Sequence, residues 1–200
     1  MKYLRFNKNK ISGSVIETTV DFLKKDGVII YPTETIYGLG GNATKKRVIN
    51  RISKIKKRPL DKSYIILVKN FFMLKNLGLN LNPLAKKLAK SFWPGPLTMI
   101  LSSSKTTPVT IRNTSSTVAV RISSSSFVNK LFERINFPLI STSSNLSGYN
   151  KNVNRSLCDL VLFCGQLKAK PSTVIDVRGK KPILLRKGSI PFWKIKNAAD

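Results

Sequence analysis

The sequence contains no histidine, and this absence removes several classes of chemistry at once. Without an imidazole there is no Ser-His-Asp or Cys-His nucleophile, no histidine-ligated zinc or haem and no histidine general base. Acidic residues are also scarce, because 9 Asp and Glu stand against 36 Lys and Arg, a net charge of +27 in 200 residues. The hydrophobic content of 42% is typical of a globular protein and excludes a chain that is disordered throughout.

Cysteine and long apolar runs are the next shortages. Cys158 and Cys164 are too few and too oddly spaced for a disulfide framework or a zinc knuckle, so we expect both to pack on a helix in a reducing compartment. Residues 1–10 alternate charges with single hydrophobic residues and have no signal-peptide core. No stretch approaches the ~18 consecutive apolar residues of a membrane span. These features predict a soluble, cytoplasmic protein.

The positive charge has two interpretations, which the sequence leaves open. A strongly basic surface attracts anionic partners, nucleic acid above all. The alternative is compositional, because an AT-rich coding sequence favours Lys, Asn and Ile, and the chain is rich in all three. The excess lysine would then lie on the solvated surface. The short clusters at residues 45–47 and 54–58 lie within sequence that is expected to fold, and no basic tail is present.

Apolar periodicity and helix-capping residues predict alternating helices and strands. The expected helices are residues 14–26 with a Ser14 capping box, a helix capped by Thr44, and residues 82–92, 127–135 and 155–163. The expected strands are residues 28–31, 64–68, 97–101, 117–122, 138–141, 173–177 and 183–186, followed by a turn from Ser189. This order without repeats indicates an α/β fold with helices packed on a sheet. We expect one domain over residues 1–200, with a core of about 8–190 and no C-terminal second domain.

Four polar segments are candidates for the site, since open α/β sheets bind ligands beyond strand ends. They are YPTETIYGLGG (31–41), KKRPLDK (56–62), STSSNLSG (141–148), and PSTVID (171–176) followed by RKG (186–188). The first and third offer hydroxyl, amide and glycine backbone groups, and the second would direct Lys56 and Arg58 at one anion. Taken singly, each of the first three segments has an equally good structural explanation. The first would be a tight turn, the second a helix C-terminus and the third an ordinary Ser/Asn loop.

In this order, however, the segments resemble the YrdC-like domain of threonylcarbamoyl-AMP synthases, a family that includes the short bacterial TsaC proteins. The resemblance covers most of the chain. Its motifs are YPTETIYGLG (31–40), KKRPLDK (56–62), FWPGPLT (92–98), TVAVRI (117–122), STSSNLSG (141–148), PSTVID (171–176) and LRKG (185–188).

The resemblance implies a twisted mixed sheet with flanking helices and a deep basic cavity. It also implies formation of threonylcarbamoyl-adenylate and pyrophosphate from L-threonine, bicarbonate or CO2, and ATP, a nucleotidyl transfer that supplies threonylcarbamoyladenosine to the position beside the tRNA anticodon. By the same resemblance, threonine would be bound by Thr35, Arg121, Ser141 and Ser172. ATP would be bound by Lys56, Arg58, Thr117, Ser143, Asn145 and Arg186, with Lys56 and Arg58 as the catalytic cations.

The chemistry fits these residue types. Cations can neutralise the polyphosphate as pyrophosphate leaves, and Mg²⁺ bridging its oxygens would add to this, with no organic cofactor. Arg121 is the natural partner of the threonine carboxylate, and no general base is needed if the carbamate forms by itself. Glu34 and Asp176 are the motif carboxylates with a conceivable amine or metal contact, although structural hydrogen bonding is expected for both. No side chain is assigned to a metal.

The sequence departs from the family pattern in two places. Many relatives have a histidine on the strand after the Lys-x-Arg segment, where residues 64–68 have none, and a common proline is replaced by Ser123.

Alternative functions remain open. An RNA-binding or tRNA-binding module without adenylate synthesis would use the charge, and a transferase acting on another amino acid would use the same pocket. The downstream partners would be the threonylcarbamoyl-transfer machinery of tRNA modification, with non-specific tRNA affinity and no membrane partner.

Overall fold

The structure is a computed structural model that describes residues 1–58, 64–145 and 153–200. Residues 59–62 of the KKRPLDK motif and 146–148 of the STSSNLSG motif therefore lie outside the described residues. Within the described ranges, no helix combines the length and the apolar character that crossing a membrane requires.

Ten strands, six α-helices and one 3₁₀ turn occur in the described part of the chain. The helices are α1 (Gly13–Lys24), α2 (Lys46–Lys56), α3 (Phe71–Asn76), α4 (Pro83–Phe92), α5 (Ser126–Phe132) and α6 (Phe192–Ala199), and the 3₁₀ turn is Arg155–Leu157. The strands are β1 (Lys2–Arg5), β2 (Ile29–Tyr31), β3 (Gly38–Gly40), β4 (Ile65–Leu67), β5 (Leu97–Ser102), β6 (Thr117–Arg121), β7 (Leu139–Ser143), β8 (Leu160–Phe163), β9 (Thr173–Asp176) and β10 (Ile183–Arg186).

The strands form one twisted, mixed sheet in the order β1-β8-β2-β3-β7-β4-β6-β5-β9-β10. The pairs β1–β8, β2–β8, β4–β6 and β5–β9 are parallel, and β2–β3, β3–β7, β4–β7, β5–β6 and β9–β10 are antiparallel. The expected α/β fold with a mixed sheet is thus confirmed.

The two faces of the sheet are covered differently. On one face, strand residues such as Ile66, Met99 and Val120 join a large core with α2, α3, α4 and α6. On the other face, α1 and α5 pack over one half of the sheet, where Tyr31 and Leu67 belong to a second core. Each buried Leu or Ile contributes about 1.5–3 kcal/mol, so these cores hold the helices in place. The remaining part of the second face carries the polar segments.

Helix caps explain where some of the helices begin. Asn82 accepts a hydrogen bond from Ala85 N at 2.7 Å ahead of Pro83, as predicted, and Ser125 caps α5 through Val128 N at 3.5 Å. Two predicted caps are wrong. Helix α1 begins at Gly13 after Ser12 and has no side-chain cap, and α2 begins at Lys46, with no side-chain cap, while the Thr44 hydroxyl bonds Asn42 instead.

Three further predictions are wrong. The helix predicted at 155–163 is a 3₁₀ turn followed by strand β8, because the apolar run pairs in parallel with both β1 and β2. The cysteines therefore do not lie on a helix, although Cys158 is buried in the core. The predicted turn from Ser189 leads into α6, whose buried residue Ile195 joins the core that also contains α4 residues.

Candidate functional site

The candidate site lies on the sheet face that α1 and α5 leave open. Hydrogen-bond register places Ser141, Ile65, Ala119, Ile100 and Asp176 in one row across β7, β4, β6, β5 and β9. Residues paired in this way point to the same side of a sheet, so the row marks the floor of the site.

A pocket is set into this floor, and most of the residues that line it carry a polar side chain. Its volume is about 30 Å³, which suits a small polar group rather than a whole nucleotide. The lining side chains and glycine are Thr33, Thr35, Ile36, Tyr37, Gly38, Ile65, Arg121, Ser141, Thr142, Ser143, Pro171, Ser172 and Arg186.

Arg121 ends β6 and is 3% exposed, yet its guanidinium is poorly compensated by other residues. Its Nη1 donates to Thr35 Oγ1 at 3.4 Å, and its Nε has no hydrogen-bond partner. Burial lowers the pKa of Arg121, against the opposing effect of Glu34. A buried cation with incomplete hydrogen bonding is suited to bind an anionic group.

Glu34 lies behind Arg121 rather than in the pocket lining. Its Oε1 is 3.8 Å from Arg121 Nε, and its Oε2 accepts a hydrogen bond from the Ser123 hydroxyl. Ser123 Oγ in turn accepts from Ser125 N at 3.2 Å. Ser123 thus holds a carboxylate beside the buried arginine.

Arg186 and Ser172 form the opposite wall. Arg186 donates to Ser172 O from Nε at 3.2 Å and from Nη2 at 2.9 Å, and Nη2 also donates to Ser172 Oγ at 2.9 Å. Burial, followed by the charges of Arg121 and Arg58, lowers the pKa of Arg186. A side chain at Gly188 would overlap the backbone of residues 171–173. This glycine therefore allows the end of β10, which carries Arg186, to approach Ser172.

Lys56 is the last residue of α2 and is 2% exposed. Its Nζ donates to Ser143 O at 2.7 Å, to Ser143 Oγ at 3.3 Å and to the Asn145 carbonyl oxygen. Burial, and then the charge of nearby Arg58, lowers the pKa of Lys56 to about 8. The guanidinium of Arg58 lies over the ring of Tyr64, 5.0 Å from its centroid.

The first polar segment forms a hydroxyl-rich turn between β2 and β3. Thr33 Oγ1 and Thr35 Oγ1 are 2.9 Å apart, and Thr33 Oγ1 donates to Ile36 O at 2.7 Å. The glycines of this segment form β3, which pairs with β2 and β7, instead of a loop. A Cβ at Gly38 would lie 2.9 Å from Ser141 Oγ, and one at Gly40 would overlap the Ile140 carbonyl. The site therefore depends on β3 lying tightly against β7.

The structure brings six of the ten predicted site residues into one pocket: Thr35, Arg121, Ser141, Ser143, Ser172 and Arg186. Lys56 and Asn145 contact that pocket through Ser143 and through each other, and Arg58 influences it by charge. Thr117 lies outside the pocket lining. It precedes Arg121 by four residues on β6, so it lies on the same face of the sheet, about 13 Å from Arg121. Its hydroxyl donates to Asn113 Oδ1 at 3.0 Å.

One expectation about these segments needs correction. The segment with Lys56 and Arg58 follows a helix and not a strand, since Lys56 is the last residue of α2, and PSTVID runs into β9. Sequence reasoning also did not single out Thr33, Tyr37, Thr142 and Pro171. Each lies inside or next to a quoted motif, so the signal that could have found them was the motif's hydroxyl and proline content.

Glu34 and Asp176, the two motif carboxylates considered for an amine or metal contact, make structural contacts. Asp176 pairs with Arg178 at 2.6 Å, and Glu34 is bound by Ser123 as described. Across the described ranges, no group of three His, Cys, Asp or Glu side chains is arranged to hold a metal ion.

With this geometry in view, comparisons with known proteins identify the family. The Sua5/YciO/YrdC family model, described as "telomere recombination", matches residues 21–188. The chain belongs to this family.

Curated relatives carry one name. Threonylcarbamoyl-AMP synthase of Pyrococcus abyssi is 33% identical over 197 residues, which are 94% of this chain and 58% of the relative. The enzyme of that name from Methylobacillus flagellatus is 33% identical over 165 residues, 78% of this chain and 91% of the relative. The chain thus spans 58% of the length of the first relative and nearly all of the second.

Solved structures agree with the fold. The crystal structure of P. abyssi Sua5 complexed with L-threonine matches with a TM-score of 0.88 and 32% identity, covering 98% of this chain and 60% of that one. Escherichia coli YciO matches with a TM-score of 0.83 and 26% identity, covering 98% of both chains.

Proposed function

We propose that this chain is a threonylcarbamoyl-AMP synthase that joins L-threonine, bicarbonate or CO2, and ATP into threonylcarbamoyl-adenylate with release of pyrophosphate. The observation that carries the proposal is Arg121, a buried guanidinium with incomplete hydrogen bonding at the inner end of a hydroxyl-lined pocket. The names of the relatives and the threonine complex of the P. abyssi protein support the same reaction.

The inner pocket would hold the amino acid. Its volume of about 30 Å³ suits a carboxylate, which Arg121 and Thr35 would bind by charge-assisted hydrogen bonds. The hydroxyls of Ser141 and Ser172 would accept or donate to the remaining polar groups of threonine. Ile65 gives the same pocket an apolar side, on which a methyl group could pack.

The outer part of the site would hold ATP in a deep basic cavity over the open sheet face. Lys56, Arg58 and Arg186 supply cations. After burial, the charge of Arg58 also lowers the pKa of both Lys56 and Arg186, which supports a position of Arg58 near each of them. Ser143, Asn145 and Thr117 would add polar contacts to ATP, with Thr117 at the far end of β6. Mg²⁺ would arrive with the phosphates of ATP, which with water supply its oxygen ligands.

The reaction then needs positioning more than proton transfer. The neutral threonine amine adds to CO2 and releases one proton to water, which gives a carbamate. A carbamate oxygen then attacks the α-phosphorus while the bond to pyrophosphate breaks. Lys56 and Arg58 would stabilise the charge that develops on the leaving pyrophosphate, and Arg121 would hold threonine in line. A chain without histidine can carry out such a step because its residues mainly orient the substrates and neutralise charge.

The experiment is incubation of purified protein with ATP, bicarbonate and threonine, scored for pyrophosphate and for the adenylate by mass spectrometry. We expect pyrophosphate release only when threonine and bicarbonate are both present. Serine in place of threonine measures selectivity, because one methyl group contributes only about 1–3 kcal/mol of discrimination. Equal pyrophosphate release without any amino acid would overturn the proposal.

We further propose that the product is used for threonylcarbamoyladenosine synthesis on tRNA in the cytoplasm by a separate transfer machinery. The names of the relatives support threonylcarbamoyl-AMP as the product that such a machinery would consume. An anhydride of a carbamate and a phosphate is reactive, so it must be consumed by an acceptor-specific transferase soon after release.

A further inference from the structure

Two adjacent phenylalanines open α3 and remain exposed. Phe71 is 50% exposed and Phe72 is 71% exposed. Neighbouring exposed aromatic residues on a folded surface mark a contact site more often than isolated ones do.

Grooves lie on both sides of this short helix. The groove between α3 and α4 has a volume of about 400 Å³ and an apolar floor that includes Phe71, Leu74, Leu79 and Leu81. A second groove, of about 460 Å³, lies on the other side and is lined by residues such as Phe72, Met73 and Ile135. We call the two together the α3 grooves.

The rims of the α3 grooves are positively charged. Lys75, Lys86 and Lys90 line the first groove and Lys69 lines the second, and neither lining contains an Asp or Glu. The sequence reinforces this asymmetry, because residues 62–132 contain no acidic residue at all. Lys86 and Lys90 stand one helical turn apart on α4, so their charges face the same side of the groove.

From this arrangement we propose that the α3 grooves bind an amphipathic helix of a partner protein, with apolar residues on one face and acidic residues on the other. The apolar floor between two helices fits the leucine or phenylalanine side chains of such a helix, and the lysine rim fits its carboxylates. No residue that lines the α3 grooves also lines the pocket of the synthase site.

Charge and chemistry favour this occupant over two others. A second copy of this chain would bring lysines against lysines across the groove, which opposes association. Single-stranded RNA would satisfy the lysines, but the leucine-lined floor offers few hydrogen-bonding groups for the polar edges of bases.

The test uses a fluorescein-labelled synthetic peptide of about 18 residues, with Leu and Phe at helical spacing and Glu on the other face, in anisotropy titrations at about 150 mM salt. A scrambled peptide of the same composition measures attraction to the overall +27 charge alone. We expect the amphipathic peptide to bind at least about tenfold more tightly than the scrambled one.

Paired variants localise the binding. Phe71→Ser with Phe72→Ser should reduce the affinity to the level of the scrambled peptide, whereas Val109→Ser, at a residue 70% exposed, should not. Lys75→Glu, Lys86→Glu and Lys90→Glu together should also abolish the preference, and Lys24→Glu, Lys25→Glu and Lys130→Glu, with the same change in charge on α1 and α5, should preserve it.

All four variants should release pyrophosphate as the parent chain does, which shows that they fold. Equal binding of the two peptides would overturn the proposal. So would oligouridine binding that depends on Phe71 and Phe72 while peptide binding does not, since the surface would then be an RNA site.

Discussion

At the scale of single residues, the arginines of the site are expected to separate by ligand. Arg121→Ala should weaken threonine binding by about 1.5–3 kcal/mol and leave ATP binding nearly unchanged, since its guanidinium faces the inner pocket. Arg58→Ala should weaken ATP binding by a similar amount and spare threonine. Calorimetric titration of both variants with both ligands measures this.

Arg121→Lys is the matched control, because it keeps the charge and loses the planar fork that binds a carboxylate through two donors. We expect threonine affinity between those of the parent and the alanine variant. If both arginine-to-alanine changes weaken both ligands alike, the assignment of residues to ligands is wrong even though the family stands.

Lys56 gives a prediction about pH. Burial and the charge of Arg58 lower the pKa of Lys56 to about 8, so its ammonium loses its charge as the pH rises through that value. The KM for ATP should therefore rise several-fold between about pH 7 and pH 9, while the threonine KM changes less.

Two variants check the origin of this effect. Lys56→Arg should flatten the rise of the ATP KM with pH, because arginine stays charged. Lys57→Gln, at the neighbouring exposed residue, should keep the pH profile of the parent chain. A profile that is unchanged in Lys56→Arg would show that another group titrates.

At the scale of elements, Asp159 joins α2 to the start of β8. Its Oδ2 accepts from Val28 N at 2.7 Å and from Arg51 Nη1 at 2.8 Å, and its Oδ1 accepts from Arg51 Nη2 at 3.0 Å. Burial raises the pKa of Asp159, but the hydrogen bonds from Arg51 and Val28 outweigh it and lower the pKa below its ordinary 3.8.

A carboxyl with a lowered pKa stabilises the fold above its unfolded pKa and loses that contribution as the pH falls through the folded value. Asp159→Asn should therefore reduce the free energy of unfolding by a constant amount from about pH 7 to pH 5. The difference in this free energy between parent and variant should shrink as the pH falls below the ordinary Asp pKa of 3.8. Urea denaturation across this pH range measures the free energy of unfolding of each protein. In Arg51→Met, the free energy of unfolding should depend more weakly on pH than in the parent chain. A difference that does not vary with pH would contradict the ionic origin.

The elements also show how far sequence reasoning extends. Helix α4 was predictable because Asn82 and Pro83 specify its start locally. Strand β8 was not, because an apolar run of this length is compatible with helix or strand until its partners are known, and those partners are β1 and β2 from the other end of the chain.

The candidate site follows the same division. Residues adjacent in one motif, such as Ser141 and Ser143, were predictable as a group. The Glu34–Arg121 pair and the Lys56 contacts to Ser143 and Asn145 depend on sheet register, which no local pattern specifies.

At the scale of the whole molecule, the excess charge should give non-specific tRNA binding that is separate from catalysis. Lys46 and Lys54 are exposed on α2, and Lys45 is exposed just before it. The last residue of this helix is Lys56, beside the pocket. Lys45→Gln, Lys46→Gln and Lys54→Gln together should lower tRNA affinity and leave adenylate synthesis at saturating substrates nearly unchanged.

Salt distinguishes the mechanism. Log K should fall by roughly 0.7–0.9 per phosphate contact for each tenfold rise in salt, and the triple variant should show a smaller slope. Anisotropy measurements with labelled tRNA over a salt series give both values. An affinity that ignores salt, or that disappears together with adenylate synthesis, would show that RNA and substrates share one site.

The position of β8 between β1 and β2 has a consequence for biosynthesis. The ribosome makes residues 2–5 and 29–31 early, yet the strand that pairs with both is residues 160–163. At about 5–20 residues per second, roughly six to thirty seconds pass before that strand is synthesised. Until then β1 has no pairing partner and one edge of β2 is open, so this half of the sheet closes only near the end of translation, and a nascent-chain chaperone has that interval in which to shield it.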